Sequence, residues 1–191
     1  MSGYAAPRRG APAGWWGMAM LIASEATLFG VLFGTYAYLR FRAAEWPPAG
    51  IPEPEVLVPA VLTVVLLATS IPMQLALRAG RAGRVAAARW LVLGALVVQA
   101  GYFAMQIHQY LADLSRFTPQ DQAYGSIYFV LVGADHAHVA LGLLFSVWLL
   151  AKLLGGLTRY RLNALLAITL YWHFVNVLTL LVFLVQVSPA L

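Results

Sequence analysis

The feature that most constrains this chain is an apolar stretch near its start that contains one acidic residue. The stretch from Trp15 to Arg42 reads WWGMAMLIASEATLFGVLFGTYAYLRFR, and about its first 25 residues include no basic side chain. A helix rises about 1.5 Å per residue, so this stretch is long enough to cross a bilayer core of about 30 Å. Glu25 falls near its middle, where an ionised carboxylate costs about 2.5 to 3.5 kcal/mol. The sequence therefore predicts a membrane span in which Glu25 needs a partner.

The composition assigns the rest of the chain to the membrane as well. Of its 191 residues, 62% are hydrophobic and only 10% are charged, whereas about 25% are charged in a soluble domain. There is no cysteine, which excludes disulfides, cysteine-ligated zinc and iron–sulfur clusters. The net charge of +5 comes from basic residues in short loops between apolar segments. We attribute it to membrane topology and expect no binding of nucleic acid.

Five apolar segments predict an all-α protein with five transmembrane helices. They cover residues 15–40, 56–78, 86–110, 123–152 and 162–187. We expect residues 15–191 to form one domain and residues 1–14, rich in Pro, Gly and Ala, to form a flexible arm without the apolar core of a signal peptide. Pro72 predicts a kink in the second segment. Thr118 followed by Pro119 predicts the start of the fourth helix.

The distribution of basic residues predicts how the chain crosses the membrane. The N-terminus and the loops after the second and fourth segments carry nine basic residues and no acid, and the opposite side carries three basic residues. The nine are Arg8, Arg9, Arg78, Arg81, Arg84, Arg89, Lys152, Arg159 and Arg161, and the three are Arg40, Arg42 and Arg116. Loops rich in Lys and Arg stay in the cytoplasm. We therefore expect a cytoplasmic N-terminus and a C-terminus outside.

The fourth and fifth segments place further polar side chains at membrane depth. Asp135 and His138 are three residues apart and share a helix face, as do His173 and Asn176. His136 lies two residues from His138 and points to nearly the opposite side, which argues against a metal site shared by the two imidazoles.

With Glu25, these residues make a set of six polar side chains on three helices. We expect several of them to meet inside the bundle as a carboxylate–histidine cluster. Two interpretations stay open. The polar groups can satisfy one another between packed helices, or they can hold and pass a proton, because imidazole titrates near neutrality.

Small residues predict where helices approach one another closely. Gly17, Gly30 and Gly34 lie in the first segment, and Gly133 and Gly142 lie in the fourth. Glycine at a helix interface allows two backbones to come near each other. We expect these five positions to be helix contacts.

Three stretches together resemble the subunit III family of haem–copper oxidases. WWGMAMLIASEATLF resembles the family's opening span, in which a tryptophan-rich start leads to a buried Glu. GADHAHVALG resembles its fourth-span motif, in which a His–Val pair precedes a glycine, and TLYWHFVNVLTLLVF resembles its last span, with the string Tyr-Trp-His-Phe-Val. The three stretches follow the family's order and nearly span the chain. The resemblance is to the short five-span form found in bacterial cytochrome c and quinol oxidases.

This resemblance implies an all-α bundle with a V-shaped cleft that holds phospholipid, in a bacterial inner membrane. It implies a non-catalytic subunit of a terminal respiratory oxidase that reduces oxygen and pumps protons. The subunit would have no haem or copper of its own, because those lie in subunits I and II, its expected partners. It would stabilise the catalytic subunit and support proton uptake. Whether the electron donor is cytochrome c or quinol stays open.

The same resemblance matches individual residues to positions in the family's motifs. Glu25 matches the family's buried carboxylate, His138 the second histidine of its fourth-span motif, and His173 the histidine of its last-span string. Two positions depart from the pattern. The family often has histidine where Asp135 stands and aspartate where Asn176 stands.

Three alternatives also fit the residues. An accessory protein of a nitric oxide reductase would share the same motifs. A small proton-coupled transporter would use Glu25 and Asp135 as proton sites and would show broken helices or inverted repeats, for which the sequence offers only Pro72. An assembly scaffold would leave the complex once it is complete.

Overall fold

The computed structural model describes residues 13–188, which form helices and no strand. In chain order the helices are α1 (Ala13–Arg42), α2 (Leu57–Ala68), α3 (Ser70–Arg81), α4 (Val85–Arg116), α5 (Ala123–Leu154) and α6 (Arg159–Val187). α2 and α3 form one span together, so five spans are long and apolar enough to cross a membrane. The predicted all-α fold with five spans is confirmed. The predicted arm lies, as far as residue 12, outside the described residues.

The third span extends further than its apolar segment predicts. α4 continues to Arg116, six residues beyond the predicted end, because no Pro or Gly interrupts the sequence there. Phe117 ends the helix by adopting an extended backbone, with φ −152° and ψ 158°. Asp113, predicted in the following loop, therefore lies on a helix.

The second span is interrupted at Thr69, close to the kink predicted from Pro72. A proline has no N–H to donate to the carbonyl four residues earlier, and its ring clashes with that carbonyl. The carbonyl in question belongs to Ala68, where α2 ends. The Thr69 hydroxyl donates to the Leu66 carbonyl (2.7 Å), which satisfies one of the carbonyl groups at the end of α2.

The start of α5 differs from the prediction. Thr118 and Pro119 do not begin a helix, and α5 starts at Ala123. Instead, the backbone N–H of Asp121 donates to the Thr118 carbonyl (3.2 Å), and the Asp121 carboxylate accepts from the Thr118 N–H (2.6 Å). These two hydrogen bonds close a turn, which is an arrangement that Asp readily stabilises.

α5 and α6 form the centre of the bundle. Both helices bury many of their residues, and Tyr171, Trp172 and Val175 of α6 are fully buried. α6 contacts α1, α2, α3 and α5. α1 lies at the periphery: over the described residues it packs only on α5 and α6, and it buries only Phe29 and Tyr36. Most of the surface of α1 is therefore free to contact lipid or another chain.

The glycines behave differently in α1 and in α5. A Cβ on Gly142 would come within 2.8 Å of Cζ2 of Trp172, so this position is a close helix contact as predicted. A Cβ on Gly133 would meet the Tyr110 hydroxyl at an ordinary 3.5 Å. Gly17, Gly30 and Gly34 have no neighbour within 4 Å of a Cβ among the described residues. The prediction was wrong for these three, because they face away from the side of α1 that packs on the bundle.

Replacing Gly142 by alanine tests the contact with Trp172. The indole is fully buried, and its Nε1 donates to the Ser146 hydroxyl (2.8 Å), so it has little freedom to move away. We expect Gly142→Ala to destabilise the fold by about 1–3 kcal/mol, a cost typical of overpacking. The measurement is thermal unfolding of the purified protein in detergent.

The matched control is Gly101→Ala in α4. It makes the same change in helix propensity, but its Cβ meets nothing within 4 Å among the described residues. Equal melting temperatures for the two variants would show that the Gly142 contact is not tight.

Candidate functional site

Glu25 of α1 and His138 of α5 face each other across the seam between the two helices. The Glu25 Oε2 and His138 Nε2 atoms are 3.1 Å apart, although the residues are 113 positions apart in the chain. The side chains are 25% and 12% exposed, respectively. Both residues lie near the middle of their helices, so the pair sits at membrane depth.

The second nitrogen of His138 fixes how many protons this pair shares. His138 Nδ1 lies 2.7 Å from the Ala134 carbonyl oxygen. A carbonyl only accepts, so Nδ1 carries the hydrogen. The contact with Glu25 then needs one more hydrogen, which lies either on the carboxyl group or on Nε2. The pair therefore holds one proton, as a neutral acid beside a neutral imidazole or as a carboxylate beside an imidazolium.

Neighbouring groups hold the imidazole of His138 in place. The Phe29 ring meets it edge-on, with ring centroids 5.2 Å apart. The Tyr171 hydroxyl of α6 donates to the backbone carbonyl of His138 (3.0 Å). The pair thus links α1 to the two central helices at the level where α1 buries Phe29.

Asp135 makes no direct hydrogen bond to this pair, although it lies close enough to His138 to interact with it electrostatically. It is 4% exposed, and its Oδ1 accepts a hydrogen bond from the Thr179 hydroxyl of α6 (2.8 Å). Thr179 has no place in the predicted set. Thr179 could have been predicted from its position three residues after Asn176, which puts it on the polar side of α6.

His136 points to another side of α5, as its spacing from His138 predicts. Its Nδ1 lies 2.6 Å from the Val132 carbonyl, and its ring packs against the Tyr110 ring of α4 at 5.4 Å. The Nε2 atom is buried and has no hydrogen-bond partner among the described residues.

His173 and Asn176 of α6 face the break between α2 and α3. The Asn176 amide donates to the Ser70 hydroxyl (2.7 Å), and the His173 ring nitrogens lie 3.3 Å from that hydroxyl and 3.2 Å from the Gln74 side-chain oxygen. Ser70 and Gln74 were missed by the sequence analysis. The signal was a short polar run around Pro72 inside an otherwise apolar segment.

Direct hydrogen bonds therefore divide the six polar residues into separate groups. Glu25 pairs with His138, and His173 lies beside Asn176 across Ser70, whereas Asp135 and His136 have partners outside the set. Within residues 13–188, no group of three or more His, Asp or Glu side chains is placed to hold a metal ion.

Comparison with known proteins places the chain in a family. A family profile described as "Cytochrome c oxidase subunit III" matches residues 11–188. The chain is 30% identical over 175 residues to the cytochrome bo(3) ubiquinol oxidase subunit 3 of Pseudomonas aeruginosa, covering 90% of this chain and 81% of the relative. It is 30% identical over 171 residues to the cytochrome c oxidase subunit 3 of Synechocystis sp., covering 88% and 72%.

A third relative extends the comparison. The chain is 31% identical over 177 residues to the probable cytochrome c oxidase subunit 3 of Mycobacterium tuberculosis, covering 88% of this chain and 84% of the relative. The profile and the relatives together cover all five spans and the residues of the Glu25–His138 pair. The chain belongs to the cytochrome c oxidase subunit III family, the membrane-embedded third subunits of haem–copper oxidases.

Proposed function

We propose that this chain is a permanent, non-catalytic subunit of a terminal oxidase, bound beside the haem–copper subunit I and the copper-side or quinol-side subunit II. The match to the subunit III family over residues 11–188 supports this role. In this proposal, haem and copper belong to the partner subunits. The bacterial relatives support a place in the bacterial inner membrane.

The exposed surface of α1 supports docking or lipid contact along this helix. Met20, Val31 and Phe41 are 71%, 63% and 89% exposed. Apolar surface of this extent suits hydrocarbon or a partner's apolar helix. The open positions at Gly30 and Gly34 would allow a neighbouring helix to approach the α1 backbone.

Two apolar grooves beside α1 support binding of phospholipid. One, of about 730 Å³, lies between the start of α1 and the cytoplasmic-side ends of α5 and α6, where Phe145, Trp148 and Tyr160 line it. The other, of about 630 Å³, lies between the end of α1 and α6, and Arg40 is on its wall. An apolar groove with an Arg suits acyl chains and a phosphate group. These grooves are the regions where we place the lipid cleft of the family.

The Glu25–His138 pair supports a role in proton handling. It holds one proton between two groups at membrane depth, and titratable side chains there commonly mark proton sites. We propose that the pair takes up and returns this proton while it links α1 to the bundle. The distribution of basic residues supports a cytoplasmic N-terminus.

A difference spectrum of the complex tests whether the subunit stays in the oxidase. The tagged chain is purified from its native membrane in mild detergent, and the reduced-minus-oxidised visible spectrum is recorded. We expect haem bands in fixed ratio to the chain, together with oxygen consumption. A colourless preparation from detergent conditions in which the oxidase keeps its activity would contradict the stable-subunit proposal. Nitric oxide reduction without oxygen consumption would favour the nitric oxide reductase alternative.

Two substitutions of Glu25 separate the hydrogen bond from the proton. Glu25→Gln keeps a side-chain donor that His138 Nε2 can accept, so we expect assembly and thermal stability close to those of the parent. Glu25→Ala removes the donor and leaves the imidazole nitrogen unpaired, which costs about 1–3 kcal/mol. The measurements are the melting temperature, the rate of inactivation during turnover and the rate of proton uptake.

Each outcome has its own meaning for the pair. A stable Glu25→Gln complex with slowed proton uptake would support the proton role. A Glu25→Gln complex with parental proton uptake, beside a destabilised Glu25→Ala complex, would reduce the pair to a structural link. If neither variant changes any of the three quantities, the pair contributes nothing to function.

A further inference from the structure

A cavity of about 360 Å³, lined by both apolar and polar side chains, opens at the end of the bundle formed by the α1–α2 loop and the α4–α5 turn. Most of the titratable side chains that line this cavity lie near its opening. These are Glu55, His108, Tyr110, Asp113, Arg116 and Tyr128. Gln109 and Gln186 also line it, and His136 lies on its wall deeper in the bundle. The cavity therefore leads from the surface towards a buried imidazole.

A second and much smaller cavity continues in the same direction. It has about 10 Å³ of space, which is about enough for one water molecule. Five residues line both cavities, among them His136, Gln106 and Gln186. The small cavity adds Asp135 and Thr179 to its lining. His136 thus stands between the surface cavity and the carboxyl group of Asp135.

The hydrogen bonds of His136 leave one nitrogen turned to this space. Nδ1 is bonded to the Val132 carbonyl, so it carries the hydrogen and Nε2 of the neutral ring is an acceptor. Nε2 is buried and makes no hydrogen bond within 3.5 Å among residues 13–188, although the Gln106 backbone lies close enough to act on the imidazole. The side-chain oxygen of Gln109 on the same cavity is buried and has no hydrogen-bond partner among these residues either. Both atoms can accept hydrogen bonds, and buried acceptors without a protein partner are normally satisfied by water.

We propose that these two cavities form a water-filled inlet through which Asp135 exchanges protons with the side of the membrane that the α1–α2 loop faces. A hydronium ion in the large cavity gives its proton to His136 Nε2 and becomes water. The imidazolium passes the proton through the single water of the small cavity to Asp135, which changes from a carboxylate to a neutral acid. Thr179 donates to Oδ1 of Asp135, so the proton is received at Oδ2.

The charged and titratable groups around this route come from several helices. α4 supplies Tyr102, whose hydroxyl accepts from the Gln106 amide (2.7 Å), and Tyr110, which packs on the His136 ring. The polar side chains that α6 supplies to the inlet, Thr179 and Gln186, are uncharged, and Gln186 donates to the Tyr128 hydroxyl (2.6 Å). The acids and the arginine lie at the mouth. The inlet shares no lining residue with the Glu25–His138 pair, but His138 lies close enough to Asp135 to interact electrostatically with its carboxylate.

Cysteine accessibility tests the inlet, because the native chain has no cysteine. We use the whole complex in sealed vesicles and a small, charged, membrane-impermeant methanethiosulfonate, with labelling read on this chain alone. A thiol reacts only where it can ionise in water. We expect His136→Cys to react from the same side as His108→Cys at the cavity mouth, although more slowly.

Two controls lie on the same helix as His136. The controls are Val130→Cys and Val139→Cys. Val130 is 53% exposed on the outer surface, Val139 is 1% exposed in the core, and neither residue lines the inlet. We expect His136→Cys to react at least about tenfold faster than both. Labelling of His136→Cys no faster than the controls, while His108→Cys reacts, would overturn the inlet. If His136→Cys does not assemble, Gln109→Cys takes its place with the same criteria.

Infrared spectroscopy tests the proton step itself. The parent-minus-Asp135→Asn difference spectrum isolates the carboxyl group of Asp135, and His136→Phe keeps an aromatic ring between Tyr110 and Phe103. We expect the Asp135 band to change between acid and carboxylate forms with external pH, and hydrogen–deuterium exchange at least about tenfold slower in His136→Phe. An Asp135 band that ignores external pH, or exchange equally fast without the imidazole, would overturn the proposed route.

Discussion

Hydrocarbon supplies no hydrogen-bond partner, so every polar side chain inside these spans has to find one within the protein or in trapped water. This requirement explains most of the side-chain contacts between helices. Glu25 meets His138, Asp135 meets Thr179, and Asn176 meets Ser70, each across a different pair of elements. Apolar surface alone would allow the helices to slide or rotate in a bilayer, because lipid solvates them equally well. The polar contacts are what select one arrangement.

The break between α2 and α3 illustrates how one polar feature organises its surroundings. Pro72 interrupts the helix, and the residues beside the break are hydroxyl and amide side chains that would be costly in an unbroken lipid-facing helix. They meet His173 and Asn176 of α6 and, through Thr69, the Gln99 amide of α4 (3.2 Å). Three spans therefore converge on the point where one of them loses regular backbone hydrogen bonds. A helix break in a membrane needs such neighbours.

The sequence was sufficient for the spans and for much of their chemistry, because length and apolar composition decide which segments cross a bilayer. It was insufficient where a contact depends on rotation about a helix axis. The three glycines of α1 suggest a tight interface, yet their side of the helix is turned outward. Spacing places Asp135 on the same helix face as His138, with which it interacts electrostatically, but it does not reveal that the hydrogen bond of Asp135 goes to Thr179 on another helix. The sequence also did not predict the turn at Thr118, because a hydrogen bond to the Asp121 carboxylate favours a turn there over a helix start.

The distance along the chain between Glu25 and His138 has a consequence for biosynthesis. The two residues are separated by 113 positions, and a ribosome adds about 5–20 residues per second. Glu25 is therefore synthesised about 6–23 seconds before His138. During this interval the carboxyl group of Glu25 has no partner from its own chain, and its neutral form is the one that hydrocarbon tolerates. Release of the newly made first helix into lipid, and its final docking, are thus separate events, and the second waits for synthesis of most of the polypeptide.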